Sequence, residues 1–238
     1  MSWFRPRCPV SAKAEAWIDV SMAWCFEQFG PDELNGPVLL PDAETVPTGY
    51  QGSEQDVEAI LERVCLRMGV DRLDIEPVLI PADDEQALAR LLTGRSEGVA
   101  GHYQPIDDGY RVAVSQAQLA DPIAVTAVIA HELGHVRLLG EGRIEPGRRD
   151  GEQLTDLVTV ALGLGVFNAN ASFEFDQSAA GWQATRLGYL SEEMFGYALA
   201  WYARRRGEPH PDWIAALDNN PRGYLEQTQR YLEARSAG

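Results

Sequence analysis

Residues 121–140, DPIAVTAVIAHELGHVRLLG, constrain this chain more than any other stretch. Asp121 before Pro122 is a helix start. The Asp side chain can cap free N–H groups, and proline at the first helical position gives up no hydrogen bond. An apolar run follows and Gly140 stops it, so a helix is expected over 122–139. Within it stands His131-Glu132-Leu133-Gly134-His135. Residues four apart share a helical face, with about 5–6 Å between their Cβ atoms. Two imidazoles placed so can aim ring nitrogens at one ion, zinc needing bonds of about 2.0–2.1 Å. Glu132 is turned by about 100° from His131 around the helix. It flanks such an ion without binding it, which is the place of a general base. The chain holds only four histidines, His102, His131, His135 and His210, so the spacing is not a by-product of histidine abundance. Ala124, Ala127 and Val128 lie on the same face and are small enough for a ligand to approach over them. Gly134 costs about 1 kcal/mol of helix propensity, which a backbone crossing there or simple tolerance would explain.

Two histidines do not complete a catalytic zinc site, which takes three protein ligands and one open position. The next helix, expected from Asp150 to about Leu164, is apolar nearly all round and therefore mostly buried. Glu152, Asp156 and Thr159 form a polar stripe on it at i, i+4 and i+7. A carboxylate in such a helix needs a partner or a metal. The stripe fits Glu152 as third ligand, with Asp156 orienting a ligand histidine through its other N–H. Asp156 itself and His102 are the alternative third ligands. Without a metal, Glu152 would serve the positive helix start and Asp156 would pair with Arg143 or Arg148.

The other elements follow from periodicity and punctuation. Helices are expected at Ser11–Phe29, ended by Gly30-Pro31, and from a Ser53 cap to Met68, ended by Gly69. Residues 31–52 read as a long loop with one short strand at Val38–Leu40. A strand is expected at Ile75–Ile80 and a short helix at Glu85–Leu92. Val99–Gln104 and Tyr110–Ser115 flank Ile106-Asp-Asp-Gly109 as a β-hairpin. Further helices are expected at Ser191–Arg206, Pro211–Leu217 and Pro221–Ala234. The fold class is α+β. Three parts are expected: 1–70 as an N-terminal helical segment, 71–140 as an α/β part carrying the two histidines, and 141–238 as a helical part carrying the third ligand.

Composition removes several functions. With 36 acidic and 20 basic side chains the net charge is −16, which opposes nucleic acid and anionic membranes. Cys8, Cys25 and Cys65 are too few and too far apart for a disulfide framework or a cysteine zinc site, and Cys25 and Cys65 read as buried thiols. The richest apolar stretch, Leu157–Ala171, contains two glycines and two asparagines and does not read as a membrane span. No signal peptide is visible, and a cytoplasmic protein is expected.

His131-Glu-Leu-Gly-His135 followed by Glu152-Gln-Leu-Thr-Asp156 resembles the gluzincin branch of the zincin metallopeptidases, whose pattern is HExxH with ExxxD on a later helix. The stretch LTDLVTVALGLGVFNANA also resembles a group of small bacterial zincin-like proteins. The resemblance implies one zinc per chain on His131, His135 and Glu152, Glu132 as catalytic base and Asp156 behind the ligands. It implies a small mixed sheet and hairpin packed on the HExxH helix, and a helical C-terminal subdomain. It also implies a peptide or protein substrate lying along an edge strand, here Tyr110–Ser115 or Val99–Gln104. An oxyanion donor is expected from the C-terminal helices, Tyr197 first, with Tyr189 and His210 as alternatives. The competing expectation is a zincin-like zinc-binding protein with a regulatory or interaction role and no turnover.

Overall fold

The computed structural model describes residues 6–81, 101–178 and 190–236, with side chains described over 6–81, 103–172 and 190–236. Seven α-helices and one three-stranded mixed sheet occur among them, an α+β fold. The chain divides into two units, Leu39–Gly151 and Met1–Val38 with Glu152–Gly238. This grouping differs from the three consecutive parts expected from sequence. The reason is packing: the helix after Ser53 buries its apolar stripe against the histidine helix, and the first helix packs on a helix near the C-terminus.

In the unit Leu39–Gly151, helix α2 is Glu54–Met68; helix α1 belongs to the other unit. Ser53 Oγ accepts from the Asp56 N–H and the Asp56 carboxylate accepts from the Ser53 N–H, a reciprocal capping box. Gly69 ends α2 at φ 65°, the left-handed conformation that glycine adopts without a Cβ penalty. Val57, Ile60, Leu61, Val64, Cys65 and Met68 fall at i, i+3, i+4, i+7, i+8 and i+11, and all are buried. Burial pushes the Cys65 thiol up to about 12, so it carries almost no thiolate near neutral pH.

The sheet has the order β1-β3-β2, with β1 at Ile75–Ile80, β2 at Gly101–Ile106 and β3 at Gly109–Ser115. β1 pairs with β3 in parallel from Ile75↔Tyr110 to Ile80↔Ser115. β2 pairs with β3 antiparallel from Gly101↔Val114 to Ile106↔Gly109. Both sides of β3 are thus occupied, which overturns Tyr110–Ser115 as a strand open to a peptide. Prolines explain the order. Pro77 and Pro105 lie in the two outer strands, where a missing N–H is tolerated, and β3 contains none. Helix α3, Pro122–His135, packs on β2 and β3 and on α2, and Ala124 through Gly134 are buried without interruption.

The helical stretch Pro122–Gly140 is long and apolar enough to cross a membrane, and 78% of it is buried within the protein, the mark of a core helix. It is a better match to a span than Leu157–Ala171, the richest apolar stretch by sequence. The expected strand at Val38–Leu40 is absent. Pro37 and Pro41 bracket it, and Val46 turns back on the Asp42 carbonyl, so no ladder forms there among the described residues. The expected helix at Glu85–Leu92 lies outside the described residues.

The other unit contains α1 (Ala12–Leu34), α4 (Gly151–Ala161), α5 (Gly165–Ser178), α6 (Glu192–Arg205) and α7 (Asn219–Ser236). α1 breaks at Gly30 (φ 77°, ψ 168°) as Gly-Pro predicts, but Pro31 then starts a further turn to Leu34. α5 replaces the expected end at Leu164, because Gly163 takes φ 75° and lets a new helix begin two residues later. α6 crosses α7 so closely that a Cβ on Gly196 would overlap Tyr224 Cβ. Gly196→Ala is expected to destabilise the fold by about 1–3 kcal/mol through overpacking, more than the gain of up to about 1 kcal/mol in helix propensity. A lower urea midpoint at unchanged slope would register it; a raised midpoint would mean the crossing opens freely.

Candidate metal centre

The last turns of α3 carry the two histidines, His131 buried and His135 half-buried. His131 is 5% exposed, and its ring lies 4.8 Å from that of His135 at an interplanar angle of 84°. Glu152, on the first turn of α4, is half-buried. The ligand atoms of His131, His135 and Glu152 all lie within 4.8 Å of one another, so this group can hold a metal ion. Donors around a tetrahedral zinc sit about 3.3–3.5 Å apart. Two nitrogens and one carboxylate oxygen, with no thiolate, form a donor set that suits zinc with an open position. Glu132 is 5% exposed, one residue beyond His131 and turned off the histidine face.

Arg143 pairs with Glu141 at 2.7 Å and Arg148 with Asp150 at 2.6 Å. Asp156 is 2% exposed, and its Oδ2 accepts the Leu190 backbone N–H at 2.9 Å. Thr159 turns inward and donates to the Asp156 carbonyl. His102 occupies the β2 position paired with Ala113, and its side chain lies outside those described.

Tyr197 is fully buried, and its hydroxyl donates to Asp19 Oδ1 at 3.0 Å. Burial, then the Asp19 hydrogen bond, raises its pKa well above the ordinary phenol value. Glu15, one turn before Asp19, accepts from Tyr231 and Arg235, so the pair of acids ties α1 to α6 and α7. This is the bonding of a core tyrosine between helices. Tyr189 lies outside the described residues, and His210 is exposed.

After His135 the helix changes its hydrogen bonding. Val136–Gly140 is a π-turn, with the Glu141 N–H bonded to the Val136 carbonyl at 3.0 Å. A regular helix to Leu139 was expected. The extra residue per turn lets Arg137 reach inward, where it donates to the Gly69 carbonyl at 2.9 Å and pairs with Glu141. It also brings Gly140 against the Tyr110 ring, with no room for a Cβ.

Tyr103 and Tyr110 were not among the residues expected near the site. Their rings stack at 5.6 Å, and Tyr103 lies 6.1 Å from the His135 ring. Burial, then Tyr110, raises the Tyr103 pKa. The hairpin contained the signal. Pairing Ile106 with Gly109 puts Tyr103 opposite Val112, so Tyr103 and Tyr110 are diagonal neighbours on one face.

No protein-family model, curated protein or solved structure matches this chain.

Proposed function

We propose that the chain is a zinc-dependent peptidase that binds one zinc on His131, His135 and Glu152 and uses Glu132 as its general base. The observation that carries this reading is the convergence of those three ligand atoms within 4.8 Å, beside a buried glutamate on the same helix. Zinc bound there would supply a Lewis acid and lower the pKa of a water toward neutrality.

The remaining work falls to the chain's own groups. The Glu132 carboxylate accepts a proton from the attacking water and returns it to the amine nitrogen of the leaving peptide. β2 offers the peptide its backbone groups, since it is an outer strand among the described residues and lies against α3. β3 does not take part in this.

Metal analysis of the purified protein is expected to find about one zinc per chain. Digestion of a peptide library is expected to be stopped by a chelator and restored by zinc. No metal after reconstitution overturns the proposal. Bound metal with no peptide cut, at any pH between about 6 and 8, would leave a zinc-binding protein without turnover.

A further inference from the structure

We propose that the cleft between the β2–β3 hairpin and the π-turn after His135 is a subsite for a lysine or arginine side chain of a peptide. This rests on the reading that a peptide is the ligand of the site.

The cleft measures about 600 Å³ and is walled by Tyr103, Tyr110, Leu139, Gly140 and Pro146, with Asp107 at its hairpin end. Binding clefts for small ligands span about 300–1,000 Å³, so the volume admits a long side chain with room for water. Tyr103 belongs both to the cleft wall and to the surroundings of His135, 6.1 Å between rings. The cleft therefore adjoins a candidate ligand, and a peptide held near that histidine can place a side chain in it.

Charge selects the occupant. The lining contains one carboxylate and no base. Asp107 is exposed and has no ion pair among the described residues. Asp108 beside it is a second acid, and the chain as a whole is at −16. Two tyrosine rings attract a cation through their negative faces. A lysine or arginine would lay its methylenes on Leu139 and Pro146 and carry its charge to the rings and to Asp107. An acidic side chain would be repelled there, and a short one would leave the cleft wet. Gly140 sets the floor, because any Cβ at that position collides with the Tyr110 ring and would displace it.

The test uses the full-length, zinc-loaded Glu132→Gln protein and peptides that differ at one position: lysine, arginine, norleucine or glutamate. Calorimetric titration is expected to show the lysine and arginine peptides binding about five-fold or more tighter than the norleucine peptide. That advantage is expected to shrink with added salt. Asp107→Asn should remove it, and Asp108→Asn, outside the lining, should retain it. Both aspartates are exposed turn residues, so neither variant threatens folding. Equal binding of lysine and norleucine peptides, no binding of any peptide, or a preference that survives Asp107→Asn would overturn the subsite.

Cleavage by the wild type separates the two proposals. Cleavage without basic preference removes the subsite and keeps the peptidase. Basic preference in binding with no cleavage keeps the subsite and removes the peptidase.

Discussion

Glu132→Gln is expected to lower peptide hydrolysis by about 10²–10⁴-fold, the usual contribution of a positioned general base, with metal content unchanged. The substitution keeps the shape of the side chain and replaces the basic carboxylate with a neutral amide that does not accept the proton. Glu132 sits on a helix turn whose neighbours Ala130, His131, Leu133 and Gly134 are all buried, so an isosteric change leaves the packing intact. Because Glu132 is buried, losing a carboxylate acceptor there is expected to lower stability by no more than about 1–3 kcal/mol, and the chain still folds. Assay of cleavage, zinc content and melting on the same preparation separates the outcomes. Full activity would mean that Glu132 is not the base. Loss of zinc along with activity would put Glu132 among the ligands and break the separation of roles that the helix geometry implies.

The parts of this fold legible in the sequence are those written in local chemistry. Ser53 and Gly69 bracket α2, and the helix begins and stops where they predict. Asp121-Pro122 starts α3, with the Asp121 carboxylate accepting from the Ile123 N–H at 2.8 Å. β1 follows the expected limits, and the Asp107-Asp108 turn joins the hairpin strands. The histidine pair was legible for the same reason, because a spacing of four on a helix is a local fact. Glu152 lies 17 positions beyond His135 across a loop. The polar stripe on an otherwise apolar helix and the ExxxD pattern of Glu152–Asp156 pointed to it.

What could not be read there depends on partners distant in sequence. The sheet order β1-β3-β2 places the second hairpin strand in the centre, and the one local clue is the absence of proline from Gly109–Ser115. The π-turn after His135 has no sequence signature of its own. It shows only in the contacts it makes, Arg137 with the Gly69 carbonyl and Gly140 with Tyr110, which span 68 and 30 positions. Tyr197 depends on a distant partner in the same way. An aromatic on a C-terminal helix invites a catalytic role, while its hydroxyl is held by Asp19 from a helix 178 positions away.

The two acids of α4 are expected to separate when each is replaced by alanine. Glu152→Ala should weaken zinc binding by more than 100-fold, beyond the 10–100-fold typical of losing a group behind the ligands. It should cost the metal-free protein about 0.3–1 kcal/mol, the contribution of an acid at a helix start. Asp156→Ala should do the reverse. It removes the acceptor of the buried Leu190 N–H, and an orphaned buried donor costs about 1–3 kcal/mol. Urea melts in excess chelator read the second effect without any contribution from metal. The same melts with zinc in excess read the first, since a ligand present at 100 times its dissociation constant adds about 2.7 kcal/mol to the folded state. In the wild type that increment should be full, in Asp156→Ala partly retained on a lower baseline, and in Glu152→Ala largely gone. If instead Asp156→Ala loses the zinc increment and Glu152→Ala keeps it, Asp156 is the third ligand and Glu152 is only the acid at the helix start.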